Sequence, residues 1–303
     1  MTTRQKPRDM EAKMPNSRRR RSDSIETVLG AGGIKLFCLI GFLRALRKKR
    51  VNVSMHTGAS AGSLAGLFYT NGYEPEEMLD IFLAEDVRNF AVRNPLTFLN
   101  PFNYLSGGII DIKAFVRRLV EKYELKPQKN LRILTYNVLR REPVPFEGTN
   151  YDVVEVAAAS CAVPLVMKPV LHWGGQGEGQ KSKFGILMDG GIHDINPHKW
   201  AKGRAIVANL GFADSLPDEW LSPLDWYFHL MEMTWSSALR WYFKIPDGEH
   251  VIIDVAPKHV AGLTFSLSAR ACREMEEYAY QVTCRALADG IAKGLIPVNP
   301  RVP

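Results

Sequence analysis

Leu36, Leu39, Ile40, Leu43 and Leu46 recur at intervals of three and four residues, and basic residues gather towards Arg50. That spacing predicts a helix over 34–50 with one buried face, and a basic last turn suits the negative end of a helix dipole. Val51, Val53 and Met55 then alternate as a strand does, and Leu64, Leu67 and Phe68 return to helical spacing, from Ser60 to Asn71-Gly72. Before all of these lies a short, partly apolar run, IETVL at 25–29. Strand, helix, strand, helix in close succession predicts a parallel α/β sheet.

Further along, 76–83 and 111–122 read as helices, the second with Asp111 near its start. Residues 90–108, rich in Phe, Asn, Pro and Gly, read as irregular. Strands are expected at 131–138, 185–188, 205–208 and 251–255, and a long closing helix over 265–291, with Gly294 and Pro297 beyond it. No internal repeat or linker divides the chain. The expected fold class is α/β, a mainly parallel central sheet flanked by helices, in one domain of residues 26–303 behind a disordered tail of residues 1–25.

Charge changes this picture only at the start of the chain. Of 303 residues with net charge +7, the first 25 hold eight Lys/Arg against three Asp/Glu, and RALRKKR (44–50) holds five more basic residues, so the remainder is slightly acidic. The tail has no apolar run, which excludes a secretory signal and predicts disorder. Its arginines at 18–21 read as solvated, with attraction to anionic lipid or nucleic acid as the sharper reading. The longest apolar stretch, 36–43, falls far short of the roughly 20 residues a membrane span needs. Cys38, Cys161, Cys272 and Cys284 lack paired spacing and fit a reduced, cytoplasmic setting. No His/Asp/Glu cluster shows metal-ligand spacing, and no cofactor is expected.

The stretch MHTGASAGSLAG sets Ser60 among Gly58, Ala59, Ala61 and Gly62. Gly-x-Ser-x-Gly between a strand and a helix is the pattern of a nucleophile elbow. There a serine sits on a sharp turn that only small neighbours permit, facing the N-terminus of the next helix. A tight strand–helix turn with no chemistry has the same composition, and both readings stand on this motif alone. A nucleophile also needs amide donors for a developing oxyanion. LGAGGIK (29–35) offers Gly30, Gly32 and Gly33 at the opening of a helix. A dinucleotide cradle would need glycine where Lys35 stands, and no Gly-Lys-Ser/Thr follows for a phosphate loop.

For a base, none of the seven histidines lies in a distinctive context, and His56 reads as a packed or hydrogen-bonded strand residue. MDGGIHDINP (188–197) places Asp189 after an apolar run, with Gly190 and Gly191 leaving room for approach to its carboxylate. An ordinary Asp-Gly turn is the alternative.

In order along the chain, Gly30-Ala31-Gly32-Gly33-Ile34-Lys35, Gly58-Ala59-Ser60-Ala61-Gly62, AASCAVPLVMKP (158–169) and Asp189-Gly190-Gly191 with Asn196-Pro197 resemble the patatin-like phospholipases, serine–aspartate lipid acyl hydrolases. The resemblance covers about residues 26–210. It implies Ser60 as nucleophile and Asp189 as its direct base. The amides of Gly32, Gly33 and Ala61 become oxyanion donors, and Gly30, Gly58, Gly62, Lys35, Gly190 and Gly191 support the elbow and loops. Lys35 itself is read as a surface cap and Ser160 as a helix-end hydrogen bonder. Ala31 and Leu36 stand where the family usually has glycine.

The implied reaction is phospholipase A-type hydrolysis of a phospholipid or other acyl ester through an acyl-enzyme, with peripheral membrane contact and no nucleic-acid partner. Acyl transfer or thioester cleavage on the same pair is an alternative. So are a triad drawing on His193, His198, His250 or His259 and a non-catalytic binding module built on the tail. Aromatic residues at 89–108 and 218–243 are candidate lipid contacts, although the helical spacing of the second equally suits core.

Overall fold

In a computed structural model, residues 24–86, 89, 110–164, 166–174, 183–211, 250–260 and 267–299 are described. An eight-stranded mixed sheet carries helices packed on one face. The chain opens with β1 (Ile25–Leu29), a 3-10 turn (Gly33–Lys35), α1 (Leu36–Lys48), β2 (Val53–Ala59), α2 (Ala61–Thr70) and α3 (Pro75–Ala84). Then come α4 (Ile112–Lys122), β3 (Leu131–Asn137), β4 (Glu142–Glu147), α5 (Val153–Ser160), β5 (Val170–Gly174) and β6 (Lys183–Asp189). Two 3-10 turns (Gly190–Ile192, His198–Trp200), β7 (Ala205–Asn209), β8 (Val251–Asp254) and α6 (Ala269–Ala292) complete it.

The expected alternation is present, with β1 starting at Ile25, inside the segment read as tail. Asp111 caps α4 by accepting from the Ala114 amide at 3.0 Å, which supplies an acceptor to an otherwise unpaired first-turn donor. The helix expected from residue 34 begins as a 3-10 turn, and α1 proper starts at Leu36. Its burial exceeds one face: Phe37, Cys38, Gly41, Phe42 and Ala45 are buried as well. The cause is α6, which packs along it so closely that a Cβ on Gly41 would lie 2.1 Å from the Glu276 carbonyl oxygen. Three elements had no counterpart in the sequence reading: β4, β5 and α5. The tail before Ser24 and the aromatic stretches at 90–108 and 218–243 lie outside the described residues.

Strand order is β5-β6-β3-β2-β1-β7-β8, with β4 also on β3. β3, β2, β1, β7 and β8 run parallel to one another, while β4 and β6 are antiparallel to β3 and β5 is antiparallel to β6. The register around β3 fixes the site. Leu134 lies between Ala59 and Pro145, and Thr135 between Asp189 and Val144. Since β4 occupies one edge of β3, β2 and β6 share the other and meet end to end. β2 terminates at Ala59 and β6, running the opposite way, terminates at Asp189. Serine 60 follows directly, so two residues 129 positions apart converge at the Leu134–Thr135 junction.

Candidate active site

The turn at Ser60 is built from the residues around it. Its φ of 53° and ψ of −123° put a non-glycine residue in the left-handed half of the map, a conformation that costs on the order of 1–3 kcal/mol and persists only where surroundings enforce it. They do so here: a Cβ on Gly62 would lie 2.0 Å from the Leu29 carbonyl oxygen, and one on Gly58 would lie 2.5 Å from that of Gly62. Hence the turn closes against the end of β1 only with glycine at both positions. Ser160, the last residue of α5, completes the brace. Its hydroxyl accepts from the Ser60 amide at 3.0 Å and donates to the Leu134 carbonyl at 2.7 Å, as its reading as a helix-end hydrogen bonder expected. The Ser60 carbonyl in turn accepts from the hydroxyl of Ser63 at 2.6 Å and the thiol of Cys161 at 3.4 Å.

Asp189 is buried, and burial pushes its carboxyl up to about 7, against the opposing pull of hydrogen bonds from the Ser60 hydroxyl and the Gly191 amide. The Gly191 amide is 2.7 Å from Oδ1, and the Asp189 amide is tied to the Ala162 carbonyl at 3.1 Å. Gly190 and Gly191 are needed for contact, since a Cβ on the first would lie 2.4 Å from the Leu134 carbonyl oxygen and one on the second 2.4 Å from Ala31 Cβ. Thus Ser60 and Asp189, the pair implied by the resemblance, are brought to adjacent positions on β3. His56, by contrast, bonds Thr27 Oγ1 through Nδ1 at 2.6 Å, and burial pulls its ring down to about 4, which keeps it neutral. His193 stacks on Tyr136, and His198 bonds the Asn196 carbonyl.

The glycine loop is held from two sides. The Ala31 amide donates to the Ile195 carbonyl at 2.8 Å, so the segment after Asp189 sets the loop's position. Lys35 corrects the surface reading: it is 1% exposed, and its Nζ donates to the carbonyls of Leu210 and Gly211 at 3.1 and 3.0 Å. A buried ammonium requires such acceptors, and here they tie the loop to the end of β7. Gly33, with φ of 52°, lines a cavity of about 230 Å³ together with Ser60 and Ala61. Gly32 is set back against Leu210, whose Cδ1 would be 2.5 Å from an added Cβ. The amides of Gly32, Gly33 and Ala61 donate to no backbone acceptor among the described residues. The rest of the cavity wall is mostly apolar, with Leu64, Phe82, Ile112, Phe115, Val163 and Met167.

Two contributors escaped the sequence reading. Asp194, 1% exposed, is also pushed up to about 7 by burial, and its Oδ1 has no partner among the described residues. It lies within the MDGGIHDINP motif, so the signal was present. Arg132 is buried on the sheet face away from the helices. It bonds Thr57 Oγ1 at 3.0 Å, pairs with Glu147 at 2.5 Å and with Glu26 at 3.6 Å, and donates to the Trp200 carbonyl. It thereby joins the nucleophile strand to the segment that follows Asp189. Nothing in LRILTYN distinguishes it from an exposed strand arginine. Among the described residues, no group of three or more His, Cys, Asp or Glu side chains could hold a metal ion, and no helix is long and apolar enough to cross a membrane.

Among solved structures, the chain is similar to VipD from Legionella pneumophila, at 16% identity and TM-score 0.48, over 88% of this chain and 67% of that one. It is also similar to the type III effector ExoU, at 15% identity and TM-score 0.41, over 88% of this chain and 53% of that one. The structure of ExoU with SpcU, from Pseudomonas aeruginosa, matches at 14% identity and TM-score 0.38, over 88% and 52%. The chain thus spans about two thirds of VipD and about half of ExoU. A family model described as Patatin-like phospholipase matches residues 27–201, which takes in the glycine loop, the Ser60 turn and Asp189, and the chain belongs to the patatin-like phospholipase family of lipid hydrolases.

Proposed function

We propose that the protein is a phospholipase A-type esterase working through a Ser60–Asp189 dyad. The observation that carries this reading is the convergence of Ser60, next after the end of β2, and the buried Asp189, at the end of β6, on adjacent positions of β3, with the Asp189 carboxyl pushed up to about 7 by burial and pulled down by the neighbouring Ser60 side chain. An ordinary aspartate, near 3.9, is a poor base at neutral pH. One near 7 has the basicity usual for an enzymatic general base.

As Ser60 Oγ bonds to the ester carbonyl carbon, its proton passes to Asp189. The carbonyl π electrons move onto oxygen, which the amides of Gly33 and Ala61, with Gly32 beside them, stabilise. When the tetrahedral species collapses, the ester C–O bond breaks and Asp189 returns the proton to the departing alkoxide, leaving acyl-Ser60. Water then attacks as Asp189 takes one of its protons, and the second collapse releases a fatty acid and restores the serine hydroxyl. The apolar cavity beside Ser60 accommodates the acyl chain. Residues 26–303 act in this scheme as one hydrolase domain, cytoplasmic and in peripheral contact with membranes. No cofactor or nucleic acid takes part.

Labelling with a fluorophosphonate probe tests the assignment. The wild type is expected to label, Ser60→Ala not at all, and Asp189→Asn at least about a hundredfold more slowly. Labelling that persists in Ser60→Ala refutes the nucleophile. Products formed from a mixed phospholipid substrate with water, an added alcohol and an added thiol separate hydrolysis from acyl transfer.

A further inference from the structure

β5 and β6 extend past the site on the side where β2 ends. From Phe184 to Asp189, β6 advances five residues, a rise of roughly 17 Å at 3.4 Å per residue. In this hairpin Trp173 is opposite Phe184 and Leu171 is opposite Ile186. The Val138 amide donates to the Ile186 carbonyl at 2.9 Å, which extends the β3–β6 register by one pair. Residues directly opposed across antiparallel strands share a face, so these five side chains form one apolar surface over three strands. The intervening residues Val170 and Leu187 are buried on the other face, in the core with α5.

The surface is open to solvent: Trp173 is 72% exposed, Leu171 53%, Val138 40% and Phe184 38%, and Leu139 in the adjoining turn is 56% exposed. The rings of Trp173 and Phe184 pack at 4.5 Å between centroids, so part of their apolar area is mutually covered and the rest faces outward. Arg140 and Arg141 follow in the same turn, both exposed, and Arg140 lies 3.7 Å from Glu142. A contiguous apolar face with a protruding tryptophan and a basic rim has the composition of an interfacial membrane contact, where aromatic rings settle at headgroup level and arginine meets anionic lipid.

We infer that this face, formed by Leu171, Trp173, Phe184, Ile186 and Val138 and rimmed by Arg140 and Arg141, docks the protein on a phospholipid bilayer carrying anionic lipid. Charge complementarity and position favour that occupant, since the hairpin stands beyond the end of β2 on the side where Ser60 meets Asp189. The patch lies on the sheet face opposite the helix-lined cavity, so docking there sets this end of the sheet, and not the cavity mouth itself, on the lipid; the link to catalysis rests on the proposed reading of Ser60.

The test uses the full chain and sedimentation with vesicles of phosphatidylcholine, with and without phosphatidylserine. Two readouts accompany it: thermal stability, and turnover of a short-chain nitrophenyl ester below its micellar concentration. Trp173→Glu with Leu171→Glu is expected to weaken vesicle binding at least about tenfold, with unchanged stability and monomeric-ester turnover. Arg140→Gln with Arg141→Gln is expected to abolish most of the phosphatidylserine-dependent gain, and salt to weaken wild-type binding. Trp173→Phe retains most of the affinity.

Vesicle binding unchanged in the Glu variant overturns the inference. So does a wild-type dimer that the variant dissolves without loss of vesicle binding, because the face then joins two copies of the chain. A marked fall in melting temperature also overturns it, because the face is then covered by another part of the same chain. The catalytic reading fails separately: if Ser60→Ala still cleaves the monomeric ester, that reading falls while the vesicle result stands by itself.

Discussion

Replacing Asp189 by asparagine is expected to make the protein more stable as it becomes inactive, by an amount that grows with pH. Asparagine keeps a carbonyl for the Gly191 amide and the Ser60 hydroxyl but carries no charge. In the wild type the carboxyl sits at about 7 in the fold, against 3.8 in the free chain. The folded state therefore holds the proton more tightly, and the stability this gives is present at low pH and is lost as pH rises from about 4 through 7. At about 1.36 kcal/mol per pH unit, the loss relative to low pH is roughly 2 kcal/mol at pH 5 and roughly 4 kcal/mol at pH 8. The advantage of Asp189→Asn over wild type should thus widen by roughly 2–3 kcal/mol between these two values, or about 3–5 °C in melting temperature. Asp194 and Glu276 are also pushed up to about 7 by burial, but both proteins contain them and their contribution largely cancels in the difference. Thermal unfolding of both proteins at pH 5, 6, 7 and 8 is the assay. A gap that stays constant with pH would show that residue 189 is not a carboxyl buried at the cost worked out here.

The same titration governs turnover: kcat/KM is expected to rise about tenfold per pH unit below 7 and to level above it, and a flat profile down to pH 5 in stopped assays contradicts this. Ser160→Ala leaves the Ser60 amide and the Leu134 carbonyl without their shared hydroxyl, so a loss of about 1–3 kcal/mol in denaturant titration is expected, with kcat falling more than KM changes. Lys35→Met strips the donor from the Leu210 and Gly211 carbonyls, with a similar stability cost of about 1–3 kcal/mol and slower fluorophosphonate labelling at Ser60. Equal labelling rates would show that the loop holds its shape without the ammonium.

The parts of this fold that were legible in the sequence are those whose periodicity or chemistry is local. The spacing of Leu36 to Leu46 marked α1, Asp111 marked the start of α4, and small residues around Ser60 and Asp189 marked points where backbone approaches backbone. What was not legible depends on partners far along the chain. VLHWG (170–174) is a strand because it pairs with β6. EPVPFE (142–147) carries Pro143 and Pro145, which weaken any strand reading, yet it is held against β3 as an edge where missing donors are tolerated. Lys35 and Arg132 were hidden by the ordinary expectation that long cations face water. Each is buried because carbonyls or carboxylates from distant segments converge on it. The end-to-end meeting of β2 and β6 was likewise invisible, since no local pattern specifies which strand β6 joins.

That meeting has a consequence for the chain while it is being made. The strand that leads into Ser60 emerges from the ribosome early, but Asp189 belongs to a segment translated about 130 residues later, and β3 must be in place before that segment has an edge to join. Domains assemble as their N-terminal parts appear, and pairings distant in sequence close last. A partly made chain therefore carries Ser60 without Asp189, and on the proposed dyad it becomes competent only when nearly two thirds of the polypeptide has been synthesised and the last strand beside β3 has zipped into register.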